Sequence, residues 1–516
     1  MKTDRQDIIL LSFITLIGLF IRISPLLSAA FPLNDGGLFY RMVLDLQANH
    51  FVLPQFTTYN NAGLPFAYPP LAFYLYGLIS EIFHIPLLKL MQFLPAIVSG
   101  LTIPAFFLLA RDLLDRRQQV LLSVFIFALV PRAFIWLIMG GGLTRSLGFL
   151  FAILSMHQYI LLNRTHAQRH LFLGAFLAGL AILTHPEAPI QIMICFALIY
   201  FWEGRTAQAL KQLIIIGLGA VLVSSPWWLA VLIRHGPDPF LAALTSSSQD
   251  TYNLIARVLI LFRFNFTDEP YLTLISVLGL IGLFAMLARH KMHLPVWFCL
   301  IQLIEPRGGA LYMMLPLSIF AGFALDQVIF PILQTETREG RTAALRLTPL
   351  NGLIGFVFLY ALLSASTMSN KLVQELTLNQ PDLEAFTWVK ENTTPGSRFA
   401  IITQGNPLND ATSEWFPALT NGSSVATIFG WEWVNDGKFA ERIKTYKDLQ
   451  NCFVQDDVCI NQWEQANNLE FEYVYIKKTD ESIVSNFLVD KLSTSANYLI
   501  RYKTDTVTVF QKLPSE

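Results

Sequence analysis

The sequence predicts a polytopic α-helical membrane protein that ends in a small soluble α/β or α+β domain. Three observations carry that expectation. Of the 516 residues, 53% are hydrophobic and only 14% charged, against about 25% charge in a soluble globular chain. The deficit is local, because apolar runs recur from Ile8 to about Leu363 while charges crowd into short joints and the last third. From about Asn379 the texture changes to short, alternating patches. Net charge is −1, so no global field draws the chain toward nucleic acid or an acidic partner.

The N-terminus, MKTDRQD followed by IILLSFITLIGLFIRISPLLSAA, has the outline of a secretory signal. Its apolar run is long, contains Arg22 and precedes many more such runs, so it reads as a first span. A crossing takes roughly 20 mostly apolar residues, and the backbone must then be helical, because lipid offers it no hydrogen-bond partner. About twelve spans are expected, near 8–30, 68–84, 89–110, 119–139, 146–162, 171–184, 189–203, 212–233, 271–288, 294–304, 310–330 and 350–366. Residues 1–370 thus form the membrane domain, with outer loops at 31–67 and 234–270, and residues 379–516 the soluble domain.

Lys and Arg in short joints set orientation. Lys2/Arg5, Arg111/Arg116/Arg117, Arg164/Arg169, Arg205/Lys211, Arg289/Lys291 and Arg338/Arg341/Arg346 mark the cytoplasmic side. The loops after residues 30, 139, 184, 233 and 304 then share the outer face, with the C-terminal domain, in a plasma membrane. One conflict stands. Two spans between residues 68 and 110 give the wrong parity for Arg111–Arg117, so either one does not cross or that joint breaks the rule.

In the soluble domain, FAIIT (399–403), FEYVYI (471–476) and VTVF (507–510) read as strands and LEAFTWVKENT as an amphipathic helix. Cys452 and Cys459 are spaced for a local disulfide, which requires an oxidising compartment and so agrees with an outer placement. Free thiols or a metal pair are the alternatives. Cys195 and Cys299 read as packing residues. Five of ten tryptophans fall in this domain, where they either stack on sugar rings or fill the core.

The informative polar groups are those expected at the outer membrane surface, where ionisable side chains are costly unless they pair or work. Asp35, in FPLNDGGLFYRMVLDL, follows the first span beside two glycines that admit close backbone approach. It reads either as a carboxylate able to take a proton from an acceptor hydroxyl or, with Asn34, as a turn and helix cap. The same loop ends YNNAGLPFAYPPLAFYLYGL, where Tyr68-Pro-Pro opens the next helix. GGGLTRSLGF (140–149) puts Arg145 at the outer face. LTHPEAP (183–189) puts His185 and Glu187 at one helix end, and EPRGGALYMMLPLSIFAG (305–322) puts Arg307 at the entry to a late span. The arginines either grip a phosphate through two parallel hydrogen bonds or snorkel to headgroups. His185 and Glu187 either line a cavity or only pair with each other. Asp268–Glu269 reads as a second acidic site or as the cap of the helix from Pro270. No P-loop, zinc spacing or Gly-x-Ser-x-Gly elbow is present in the sequence.

An acidic residue closing the first span, a loop of a few dozen residues, a YPPL-type helix entry and a late Arg-containing helix together resemble the GT-C superfamily of membrane glycosyltransferases, including protein mannosyltransferases and aminoarabinose transferases. The departure is Asp35-Gly36, where the family often has Asp-Asp or Asp-Glu. The resemblance implies a GT-C-like fold and transfer of a sugar, with inversion, from a polyprenyl-phosphate donor to a protein, lipid or glycan acceptor. In it Asp35 is the general base, Arg307 and Arg145 meet the phosphate, and Tyr68, His185 and Glu187 bind substrate. Catalysis need not involve a metal, because the arginines can neutralise the phosphate, and no cofactor is expected. Two other classes compete: a transporter or lipid-handling protein, and a scaffold whose outer domain binds polysaccharide. The enzyme reading needs Asp35, Arg145, His185, Glu187 and Arg307 to converge, whereas the scaffold reading does not.

Overall fold

The computed structural model describes residues 4–246, 254–261, 265–335, 349–478 and 487–514, with backbone only at 254, 306, 307, 334 and 335. The joint carrying Arg338, Arg341 and Arg346 lies outside the described residues. The chain opens with α1 (Arg5–Ser28), begun by a reciprocal cap in which Asp4 and Asp7 satisfy each other's backbone amides. It continues through α2 (Gly37–Ala48), α3 (Leu71–Phe83), α4 (Leu87–Leu113), α5 (Arg117–Leu129), α6 (Gly142–Thr165), α7 (Gln168–Ile182), α8 (Ala188–Glu203) and α9 (Ala207–His235). Then come the short α10 (Asp238–Ser246) and α11 (Leu254–Ile260), α12 (Leu274–Ala288), α13 (His293–Ile304), the interrupted run α14 (Pro306–Tyr312), α15 (Met314–Ala324) and α16 (Phe330–Thr335), and α17 (Pro349–Glu375).

Each apolar segment marked in the sequence is helical. Among the described residues, six stretches are long and apolar enough to cross a bilayer: α1, α4, α6, α9, Gly308–Leu333 and α17. The segment read as one span over 119–139 is instead broken. α5 and the turns of Pro131–Leu137 meet at 81°, because Pro131 has no N–H and drives Val130 into extended backbone. α3, α7, α8, α12 and α13 are apolar but only 12–16 residues long.

The two ends of the bundle are chemically distinct. At one end Asp7 pairs with Arg117, His157 meets Asp112 at 2.6 Å, Lys291 meets Asp115 at 3.1 Å and Arg164 meets Glu203 at 3.5 Å. The basic joints from Arg5 to Lys291 therefore share that end. At the other, Gln92 donates to the carbonyls of Leu26 and Ala29 (3.0 and 2.8 Å), and Arg234 to that of Leu53 (2.6 Å).

α3 corrects the expected span at 68–84 and removes the parity conflict. Its first amide, on Leu71, donates to Leu183 at the end of α7 (2.9 Å), and its middle is tied to α2 by Gln47 (3.1 Å to the Gly77 carbonyl). The chain then enters α4 about a turn before Gln92, so α3 starts and finishes at the same end. Thirteen residues of helix reach only about 20 Å, short of the roughly 30 Å hydrocarbon core.

From Asn379 the chain builds an α/β unit. α18 (Gln380–Asn392) is capped by Asn379 and Asp382. There follow β1 (Arg398–Ile402), α19 (Ala411–Leu419), β2 (Ser423–Ser424), α20 (Phe439–Asn451), α21 (Asp457–Asn467), β3 (Tyr473–Lys477), α22 (Phe487–Thr494), β4 (Tyr498–Lys503) and β5 (Val507–Lys512). The sheet order is β2-β1-β3-β5-β4, with β1 parallel to β2 and β3 and the rest antiparallel. Cys452 and Cys459 are disulfide-bonded, and Cys195 and Cys299 are free. Side chains alternate across the strands. Ala400, Ile402, Val474 and Ile476 face α20–α22. Phe399, Ile401, Tyr473 and Tyr475 share one core with Trp415 and Phe416 of α19, and with Leu38, Met42, Phe66 and Tyr76 of the bundle's first loop and α2–α3. That shared core seats the unit over the end of the bundle opposite the basic joints.

Candidate active site

Two glycine-rich turns meet under this unit. After α1 the chain pairs Leu33 with Thr377 in an isolated antiparallel bridge, and the Asn34 amide donates to Leu376 at 2.6 Å. Gly36, at φ 126°, supplies a turn that only glycine adopts freely before α2 begins. The facing turn, Gly140–Gly142, starts α6. A side chain on Gly140 would collide with the Asp35 carbonyl, and one on Gly141 with the Asp35 carboxylate.

Asp35 therefore caps neither its own helix nor a simple turn. Its Oδ1 accepts from the Gly141 amide at 3.0 Å, at the positive N-terminus of α6, and its Oδ2 pairs with Arg145 one turn further on. Arg145 also donates to the Trp136 carbonyl at 3.2 Å and lies over the Trp136 ring at 5.5 Å. The two partners keep 13% and 23% side-chain exposure, so the pair is shielded yet open on one side.

A second chain of polar contacts touches the same turn of α6. The Tyr68 hydroxyl lies 3.3 Å from Thr144 Oγ1 and 2.9 Å from His185 Nδ1, and His185 Nε2 lies 3.2 Å from Glu187 Oε2. With the imidazole neutral, Nε2–H donates to the carboxylate and Nδ1 accepts from the tyrosine hydroxyl, which fixes one tautomer. The Tyr68 ring packs on Phe39 (4.7 Å between centroids) and on Trp433 of the C-terminal unit (5.5 Å). Glu187 lies against the α-carbon of Gly308, the residue after Arg307, and the Gly308 amide donates to Glu305 at 2.8 Å. The backbone of Arg307 thus belongs to the site, and its side chain lies outside the described residues.

Asp35, Arg145, Tyr68, His185 and Glu187 are accordingly gathered at one end of the bundle. Asp268 and Glu269 are not part of the cluster. Glu269 accepts from the amides of Ile275 (2.9 Å) and Ser276 (3.3 Å) and so caps α12, while Asp268 pairs with Arg132 at 2.6 Å. Of the C-terminal tryptophans, 415, 433 and 463 are buried in cores and Trp388 stacks on Tyr502. Among the described residues no group of three His, Cys, Asp or Glu side chains could hold a metal.

One site residue went unmarked in the sequence. Glu414, on α19 of the C-terminal unit, is 4% exposed. Its Oε1 accepts from the amides of Gly36 (3.0 Å) and Leu38 (3.3 Å), the residues flanking the turn after Asp35. Its Oε2 is buried without a hydrogen-bond partner. Burial first, and then the charge of Asp35, push this carboxyl up to about 8. Trp415 beside it donates from Nε1 to the Asn34 carbonyl at 2.8 Å.

No family model matches the chain, and no curated protein matches its sequence. Solved structures do match its fold. The archaeal oligosaccharyltransferase AglB of Archaeoglobus fulgidus, in complex with an inhibitory peptide and a dolichol-phosphate, superposes with a TM-score of 0.60 at 14% identity, over 91% of this chain and 69% of that one. ArnT of Cupriavidus metallidurans, bound to undecaprenyl phosphate, gives 0.55 at 13% identity over 99% of each chain. The mycobacterial arabinofuranosyltransferase AftD gives 0.56 at 14% identity, with this chain spanning 40% of its length. All three are GT-C membrane glycosyltransferases, and theirs is the fold of this chain.

Proposed function

We propose that this chain is a membrane glycosyltransferase that moves a sugar from a polyprenyl-phosphate donor to an acceptor at the outer face of the plasma membrane. The observation that supports it most is the convergence of Asp35, Arg145, Tyr68, His185 and Glu187 beside the start of α14, on a fold shared with transferases whose structures hold dolichol-phosphate or undecaprenyl phosphate. In this reading the basic joints face the cytoplasm, and the C-terminal unit stands outside over the site. The acceptor hydroxyl gives its proton to Asp35 and attacks the anomeric carbon from the side opposite the phosphate. The glycosidic configuration inverts and the lipid phosphate departs with the electron pair of the broken bond. Arg145 orients Asp35 and, with Arg307, faces the charge that builds on the phosphate, where fixed cations in a dry site act most strongly. Tyr68, His185 and Glu187 line the sugar pocket.

A scaffold needs no such convergence. The test is the protein in liposomes with a panel of polyprenyl-phosphate sugars, alongside Asp35→Asn and Arg307→Ala. Release of polyprenyl phosphate that both substitutions abolish is the expected result. Stable protein that neither binds nor turns over any donor would overturn the proposal and favour transport or polysaccharide binding.

A further inference from the structure

The C-terminal unit does more than cover the site. Two consecutive residues of α19 seize the backbone on both sides of Asp35: Trp415 holds the Asn34 carbonyl at 2.8 Å, and Glu414 holds the amides of Gly36 and Leu38 at 3.0 and 3.3 Å. Both are anchored in turn. The Glu414 carbonyl accepts from the Tyr59 hydroxyl at 2.8 Å, and Trp415, fully buried, meets Phe31 edge to face at 4.7 Å. No side chain fits at Gly37, where a β-carbon would lie 2.6 Å from the Glu414 carbonyl.

Fixing Gly36 and Leu38 as amide donors requires only an acceptor oxygen, which glutamine, or a neutral acid, supplies as well as a carboxylate. An ionised glutamate here would place a second negative charge beside Asp35, with its Oε2 unpartnered in a dry junction, an arrangement that disfavours the charged form. The charged and titratable groups that face it are Asp35 from the first turn, Arg145 from α6 and Tyr59 from the first loop, with Tyr40 of α2 and Asp410 of α19 nearby. One cation thus serves two acids, and Asp35 already holds it.

We propose that Glu414, kept as the neutral acid, is the positioning residue for Asp35: it fixes the Gly36 and Leu38 amides so that the Asp35 carboxylate lies on Gly141 and Arg145, and the site is complete only with the C-terminal unit docked. The inference rests on the transferase reading for its effect on turnover, but not for its effect on the turn. The upward displacement of the Glu414 carboxyl agrees with it.

Two measurements on the full chain in lipid nanodiscs test it. Hydrogen exchange is followed over the peptide spanning residues 33–40, and turnover is followed from pH 6 to pH 9. Glu414→Ala is expected to speed exchange at Gly36 and Leu38 and to cut turnover roughly 10²-fold at pH 6–7, a loss that about 1 Å of misplacement can cause, with a smaller ratio at pH 9. Glu414→Gln keeps the acceptor oxygen. It is expected to preserve amide protection, to retain far more turnover than Glu414→Ala, and to lack the alkaline decline expected of wild type. Asp35→Asn should stop turnover while leaving exchange at wild-type rates. Unaltered exchange in Glu414→Ala, or a Glu414→Gln variant that keeps the alkaline decline, would overturn the proposal. Absence of turnover in wild type would sink the transferase reading alone, because the exchange arm still decides the positioning.

Discussion

Gly141→Ala isolates the placement of Asp35 from every other property of the protein. Gly141 has φ −67° and ψ −10°, an ordinary helical conformation, so alanine brings no backbone strain, although at this N-cap position glycine is the better residue. Its β-carbon, however, would lie 2.5 Å from Asp35 Oδ2, 2.7 Å from Cγ and 2.9 Å from Oδ1. Ordinary contact begins near 3.4 Å, so the carboxylate must retreat by about 1 Å, which typically costs ~10²-fold in rate, or about 2.7 kcal/mol of barrier. The 3.0 Å bond from the Gly141 amide goes with it. The assay is release of polyprenyl phosphate in liposomes, read beside thermal unfolding. Gly352→Ala serves as the control, since its β-carbon meets nothing within 4 Å. The expected outcome is a folded protein with an unfolding temperature modestly below wild type and turnover down about a hundredfold. Full turnover in a folded Gly141→Ala protein would refute the general-base assignment, because the reacting carboxylate would then not be the one packed on this turn.

Three other expectations follow from the geometry. Tyr68→Phe removes the hydroxyl that meets His185 Nδ1 and Thr144 while keeping the ring on Phe39 and Trp433, so turnover should fall by about tenfold, at the cost of one hydrogen bond, with little change in stability. Reducing Cys452–Cys459, which closes a loop of sequence separation 7, should destabilise the C-terminal unit by about 2 kcal/mol, seen as a lower unfolding temperature in reductant with the basic-joint end of the bundle unaffected. The Glu414 carboxyl is displaced from 4.5 to about 8, so the folded state binds its proton more tightly than the unfolded one. Its contribution is fully present below about pH 4.5 and is lost progressively as pH rises to about 8, by at most on the order of 5 kcal/mol. Glu414→Gln should flatten that slope in denaturant titrations, and an unchanged slope would count against a buried neutral acid.

The sequence carried most of the fold because apolar runs and strand alternation are local signals. Every apolar segment is helical, and FAIIT, FEYVYI and VTVF became β1, β3 and β5. β2 and β4 were missed: Ser423–Ser424 is too short to show a pattern, and β4 is largely exposed on one edge. α3 was misread as a span because hydropathy does not report where a helix's two ends lie, although the basic joints already demanded that one segment turn back. The break at Val130 was legible in Pro131 and was overlooked because the apolar character continues to Met139. For the site, Asp35, Tyr68, Arg145, His185 and Glu187 stood out as polar groups at helix ends. Glu414 did not, since it is an ordinary acid on a short helix whose role appears only through contact with Gly36, 378 positions away.

That separation has a consequence for how the protein is made. The turn bearing Asp35 is synthesised well before Glu414 and Trp415, which hold it from some 378 positions further along the chain. At about 5–20 residues per second, the turn waits on the order of 20–80 s before its clasp exists. During that interval the carboxylate lacks the contacts that fix it, and on the proposed function a chain made only that far would not turn over its donor. Chains that stall before α19 lack the hydrogen bonds from Glu414 and Trp415, so added protease is expected to cut their first loop more readily.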